Sequence, residues 1–140
     1  MKEDFRSVCF KILFSSNIDI DNFSLGKNEL SENQIVRAEQ LIFNTKNQYE
    51  NIKNLIIKYS DNWNYERIAK TEKISLILGI SELSLNLTPL KVIVSEWTKL
   101  TDKHSSSEGA KFVNAILDMI GKNEFKYWSI TYQKRTKCFY

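Results

Sequence analysis

The side chains able to make or break bonds are few, and they are spread along the chain. His104 is the one histidine, and Cys9 and Cys138 are the two cysteines. The cysteines show neither Cys-x-x-Cys nor metal-ligand spacing, which predicts free thiols in a reducing compartment. Glu66, Glu72, Glu82 and Glu96 stand apart from one another, so no acid–base pair follows from their spacing. There is no Gly-rich phosphate loop and no Ser-His-Asp or Cys-His constellation. His104, beside Lys103 between two predicted helices, reads as a surface residue. The expectation is a protein that is not an enzyme and that uses no cofactor and no metal.

Binding is the class that remains. Twenty basic and 17 acidic residues leave a net charge of +3, too mild to name a partner, but the excess is not evenly spread. From residue 122 to the end, Lys122, Lys126, Lys134, Arg135 and Lys137 face Glu124 alone, interleaved with Phe125, Tyr127, Trp128 and Tyr132. That tail reads as a strand, a short helix or an ordered extension. Apolar runs are broken by charge well before the roughly 20 residues a membrane helix needs. With no signal peptide visible, the cytoplasm is the expected location.

The elements that position these groups are helical. With only four Gly and one Pro in 140 residues, breaks are few. A chain of this length buries roughly two-thirds of its unfolded surface as one domain. Phe5, Val8, Cys9 and Ile12, flanked by Leu13, mark helix one. Phe10 and Phe14 form a second strip beside it, which either widens the core face or meets a partner. From Ser15 to Leu30 the periodicity fails, leaving a loop with one short helix. Ser31 and Gln34 make a capping box for a helix that runs to Tyr59, roughly 40 Å at 1.5 Å per residue. Asp61 and Asn62 end it, and Trp63 to Ile68 reads as a connecting helix with Trp63 as a core plug.

Thr71 is the expected cap of a helix from Glu72 to about Asn86. Ile74, Ile77, Leu78 and Leu85 lie on one side of it and Leu76, Ile80 and Leu83 on another, which predicts an interior helix. Thr88 and Pro89 restart a helix to about Asp102. Ser105 and Glu108 cap the last one, which carries Val113, Ile116, Leu117 and Ile120 and stops at Gly121. The fold class is all-α, a bundle of six to seven helices over residues 1–121, followed by the basic aromatic tail 122–140.

Several strings in this region carry a resemblance. Thr88-Pro89-Leu90-Lys91-Val92-Ile93-Val94-Ser95-Glu96, then Lys111-Phe112-Val113-Asn114-Ala115-Ile116-Leu117-Asp118, resemble the P-x-K-V-x-I-N-E and K-F-V-N-G-x-L-D strings of the NusB family of bacterial transcription antitermination factors. Trp63, Glu66-Arg67, the run to Leu78 and Ser81-Glu82-Leu83 resemble the family's upstream segments in order and spacing. The resemblance implies an all-helical, cofactor-free protein that pairs with NusE, a ribosomal small-subunit protein. Together they would bind boxA-type single-stranded RNA and so act indirectly on the RNA polymerase elongation complex.

Residue by residue, the resemblance places Arg6, Lys111, Phe112 and Glu108 toward RNA, and Phe14, Glu66 and Glu72 toward NusE. Arg6 and Lys111 suit phosphate contacts, and Phe112 suits stacking on an unpaired base. Glu108 would tune RNA affinity. Glu72 would accept a charge pair from a basic partner. Plainer roles stand beside these: Phe112 as core, Glu72 as partner of its own helix dipole, and Lys111 as a solvated lysine.

The chain also departs from the family pattern. Lys2-Glu3-Asp4-Phe5-Arg6 replaces an arginine cluster with charges that cancel. Ser95, Trp97, Thr98 and Gly109 stand where the family has Asn, Ala, an apolar residue and Ser. Trp97 is expected to displace its neighbours or reach the surface. Two expectations follow: the tail replaces the missing arginines, or RNA binding has been lost and the fold serves as an adaptor or a homodimer built on the Phe10–Phe14 strip. Related domains are also fused to RNA cytosine methyltransferases, but the 20 residues after Ile120 are too few for a nucleotide-binding sheet.

Overall fold

The computed structural model describes residues 3–60 and 64–125. They form α1 (Phe5–Ser15), α2 (Glu32–Tyr59), a 3-10 turn (Tyr65–Arg67), α3 (Lys70–Leu85), α4 (Leu90–His104) and α5 (Ser107–Glu124), with no strand among the described residues. The fold is all-α, as the periodicity predicts, but it has five α-helices rather than six or seven. The expected connecting helix shrinks to the 3-10 turn, and the expected helix between Ser15 and Leu30 is absent. Trp63 and residues 126–140, which hold most of the tail and Cys138, lie outside the described residues.

The helix missing after α1 has a local cause. α1 closes with Asn17 in the left-handed region at φ 59°. The N–H of Ile18 donates to Leu13 O at 2.8 Å and that of Asn17 to Phe14 O at 3.2 Å, a double closure of the helix end. Beyond it, the Asp19 carboxylate accepts from the Asn22 N–H, a bond that favours turns over helix. Phe23, 1% exposed, then anchors the loop in the core, a role that no periodicity announced.

α3 is the interior helix and packs against every other α-helix. Its residues from Ile74 to Leu83 are all buried. Its two buried serines are satisfied by hydroxyls and an amide on neighbouring helices: Ser75 with Thr101 at 2.9 Å, and Ser81 with Thr45 at 2.8 Å and Asn44 at 3.0 Å. Buried hydroxyls paired in this way avoid the cost of an unmet hydrogen bond. They also fix how α2 and α4 sit against α3.

The helix ends differ from the sequence reading in instructive ways. Ser31 does cap α2 through the Gln34 N–H, but the Gln34 side chain accepts from the Phe5 N–H at 2.8 Å instead of closing a reciprocal box. It thereby satisfies an orphan donor of α1 and ties two helix starts together. Thr71 lies inside the first turn of α3, whose cap position is Ala69 with no side-chain bond. Thr88 accepts from Arg37 Nη2 at 2.9 Å rather than capping α4. Ser106, not Ser105, caps α5 by accepting from the Gly109 N–H. Gly121 is a buried residue within α5, not its stop, because Leu90 occupies the space that its side chain would fill. α4 runs on to His104, which is therefore its last residue.

Trp97 neither reaches the surface nor forces the helices apart. It is fully buried, and Gly79 makes the room: a Cβ there would lie 3.3 Å from Trp97 Cδ1 and 2.8 Å from Leu117 Cδ1. The indole Nε1 donates to Glu82 Oε1 at 2.9 Å.

Candidate RNA and protein interface

The starts of α3 and α5 lie side by side, and the 3-10 turn covers one end of the gap between them. Arg67, Ile68, Ala69, Glu72, Ser106, Glu108, Gly109 and Phe112 line a cleft of about 270 Å³. That is slightly below the range usual for small-molecule sites and suits a protruding side chain. Three residues chosen from the sequence, Glu72, Glu108 and Phe112, thus meet in one place. Lys111, the neighbour of Phe112 on α5, is exposed, whereas Phe112 is half-buried and packs against the core.

Glu72 is the unusual member. It is 7% exposed, and its Oε1 has no hydrogen-bond partner. The first turn of α3 supplies a favourable dipole for a carboxylate. A dipole does not replace the hydrogen bond that a buried oxygen ordinarily has. Glu108 and Arg67 flank the cleft as exposed charges, and Glu66 is exposed beside Arg67 on the 3-10 turn.

Phe14 does not line the cleft but lies beside the start of α3. It is 42% exposed, and Lys70, the first residue of α3, places its ammonium 4.1 Å from the ring centroid. The strip predicted on α1 is therefore divided between two roles. Phe10 is core at 2% exposure, stacked on Phe14 with centroids 6.0 Å apart, and Phe14 is surface. His104 also stacks on Phe10, at 4.9 Å. Desolvation, reinforced by Lys103 and Lys11, lowers its pKa from the ordinary value. Neither Lys70 nor Arg67 was among the candidate site residues; both lie next to chosen residues in the chain or in space.

Arg6 is elsewhere. It is 8% exposed, and its Nε and Nη2 donate to the two oxygens of Glu82 at 2.8 and 2.6 Å. Arg37 comes within 3.6 Å of the same carboxylate. Burial disfavours the Arg6 charge, and the hydrogen bonds and charge of Glu82 more than offset that, raising its pKa. As placed, the guanidinium is an internal strut and not a surface group offered to phosphate. Of the basic tail, Lys122 is within the described residues and pairs with Asp118 at 3.0 Å. Among the described residues no cluster of three or more potential metal ligands occurs, and no helix is long and apolar enough to cross a membrane.

Comparison with known proteins agrees with this architecture. The transcription antitermination protein NusB of Fusobacterium nucleatum is 35% identical over 95 residues, covering 68% of this chain and 62% of that one. The protein of the same name from Thermodesulfovibrio yellowstonii is 38% identical over 88 residues, 62% of this chain and 58% of that one. The match thus spans somewhat under two-thirds of those two relatives, whereas with the NusB of Sulfurovum sp. it is 27% identical and covers 84% of this chain and 95% of that one. The solved structure of T. maritima NusB superposes with a TM-score of 0.75 at 24% identity, over 88% of this chain and 94% of that one, a likeness of fold. The NusB family model matches residues 4–122, from the cap of α1 into the last turn of α5. With that model matching most of the chain, the chain belongs to the NusB family.

Proposed function

We propose that this protein is a non-enzymatic transcription antitermination factor of the cytoplasm, which pairs with a NusE-type ribosomal small-subunit protein and with it binds boxA-type single-stranded RNA. The observation that carries the reading is the family match along residues 4–122, coupled with a cleft that gathers Glu72, Glu108 and Phe112. Phe14, Glu66 and Glu72 form the protein-facing part. A half-exposed aromatic beside charged groups is the composition of an interface anchor with its polar rim. Lys111 supplies a phosphate contact, the exposed edge of Phe112 a stacking surface and Glu108 a charge that moderates RNA affinity. Arg6 acts only by holding α1 in place. The polymerase complex is reached through the bound RNA and the ribosomal protein.

The deciding experiment measures binding of the full chain to a boxA-type RNA and to a scrambled RNA across a salt series, with and without the NusE-type protein. Selective binding that tightens when that protein is added supports the reading. Complex formation with no RNA preference favours the second reading, an adaptor or homodimer of the same fold. Burial of Arg6 against Glu82 is the specific observation in its favour, because it leaves the described N-terminus without a guanidinium for phosphate.

A further inference from the structure

α2 buries one side against the bundle and leaves another bare. Along the bare side Asn33, Val36, Gln40, Phe43 and Asn47 recur at steps of three and four residues, and all five are exposed. That spacing holds side chains on a single stripe, the kind of seam along which helices pair. Two of its members are large and apolar: Val36 is 53% exposed and Phe43 is 69% exposed, the highest among the large apolar side chains described. Leu87, from the turn between α3 and α4, lies beside Val36 and is 58% exposed. Scattered apolar residues are ordinary on a surface, whereas three gathered on one face mark a place of contact.

This face carries both halves of such a contact. Asn33, Val36, Arg37 and Gln40, at i, i+3, i+4 and i+7, line a groove of about 460 Å³ together with Leu87. Four residues so spaced form the hole that receives a knob from a facing helix. Phe43 lies two turns further along the same seam, about 10 Å away at 1.5 Å per residue, and cannot reach the groove of its own helix. A second α2, antiparallel and turned about a two-fold axis beside Gln40, sets each Phe43 into the other's groove. The same rotation brings Lys46 of each copy within two residues of Glu32 of the other, both on one exposed flank of the seam. A two-fold contact requires one patch to complement itself, and the knob with its hole and the cation with its anion both meet that condition. Glu39, also exposed, meets its own copy near the axis, a like-charge contact that keeps the pairing reversible.

We propose that two copies of this chain associate through the outer face of α2, with Phe43 of each seated in the Val36–Leu87 groove of the other. No residue lining the cleft between α3 and α5 belongs to α2, so this pairing is independent of the function proposed above. It also differs from a homodimer built on the Phe10–Phe14 strip, of which the core has taken Phe10.

The test is sedimentation equilibrium of the full chain alone over a concentration series. A reversible monomer–dimer equilibrium is expected. Phe43→Glu, at a position exposed enough to spare the melting temperature, should weaken it at least about ten-fold, and Glu39→Gln should tighten it about three-fold. Glu32→Lys and Lys46→Glu should each weaken it about five-fold, and the double reversal should restore it. Within one chain these two residues are about 21 Å apart along α2, well beyond the screening length of about 10 Å at 0.1 M salt, so such rescue acts between copies. A wild-type chain still monomeric at about 1 mM overturns the proposal. So does a dimer that Phe43→Glu leaves intact, that Glu39→Gln does not tighten, or in which the two charge reversals simply add. Calorimetric affinity for the NusE-type protein should be unchanged in Phe43→Glu. A monomeric wild type whose affinity for that protein falls on this substitution assigns the face to that protein and overturns the dimer.

Discussion

Arg6 and Glu82, 76 residues apart, are joined by two hydrogen bonds of 2.8 and 2.6 Å, which fasten the first helix to the interior helix α3. Trp97 Nε1 adds a third bond to the same carboxylate from α4. Removing one member of a buried ion pair leaves an uncompensated charge, which typically costs about 3–5 kcal/mol. Arg6→Ala is expected to lose about 3 kcal/mol, near the lower end because Arg37 is close enough to move onto Glu82. Urea unfolding checks this, with the midpoint falling and the slope unchanged.

Trp97 fills the space above Gly79, and its removal combines a cavity with a lost donor. Trp97→Ala is expected to cost about 4 kcal/mol, and Trp97→Phe, which keeps most of the volume, about 1.5 kcal/mol. The same urea titration measures both. Equal costs for the two substitutions would mean that the Nε1 bond to Glu82, and not the packing, is what matters.

Phe14 contributes little to the fold and much to the proposed interface. It stacks on Phe10 and under Lys70 but is 42% exposed, so Phe14→Ala should lower stability by no more than about 1 kcal/mol. Affinity for the NusE-type protein should fall about ten-fold by calorimetry, the behaviour of an anchor residue. Unchanged affinity would remove α1 from the interface.

Lys111 offers an exposed charge beside Phe112. If it neutralises one phosphate of a single strand, Lys111→Ala should weaken binding to boxA-type and scrambled RNA alike. It should also reduce the slope of log affinity against log salt by about 0.7. A steep loss confined to the boxA sequence would instead assign Lys111 to base recognition.

His104 makes stability depend on pH in one direction. Contact with Phe10 and the charges of Lys103 and Lys11 hold its folded pKa below the ordinary 6.5. Between the two values the unfolded chain binds a proton that the folded chain refuses, so stability rises with pH across that window and falls as pH drops below about 6.5. His104→Phe keeps an aromatic ring against Phe10 and removes the titration. Thermal melts between about pH 7.5 and 5.5 should therefore show a smaller loss for the variant than for the wild-type chain.

The helices were legible in the sequence because helix burial is written locally. Residues three and four apart share a face, so the stripe of α1, the long repeat of α2 and the two-sided apolar pattern of α3 could be read without knowing what they touch. The strings Lys111 to Asp118 and Thr88 to Glu96 identified the family for the same reason, being contiguous. That Glu72, Glu108 and Phe112 converge was not legible: the resemblance assigned Glu72 to the protein partner and Glu108 and Phe112 to RNA, and nothing in their spacing brings α3 and α5 together.

Where each polar group finds its partner was another matter. Arg6 read as a candidate phosphate ligand because the resemblance matched it to an arginine of the family's N-terminal motif; a carboxylate 76 positions away claims it instead. Gln34, Thr88 and Ser105 had the right types for capping, yet Gln34 and Thr88 bond to Phe5 and Arg37 across helices, and Ser106 takes the place of Ser105. Gly121 read as a helix stop, yet it and the glycines at 79 and 109 are points of close approach, each making room for a side chain from another helix. Which stretches become helix, and which of their faces are apolar, follows from the order of residues alone, because both depend on neighbours within a turn or two. Which buried charges are paired and which, like Glu72, keep an acceptor unmet emerges only when the helices pack. Those outcomes depend on contacts between residues far apart in the chain, which no local pattern encodes.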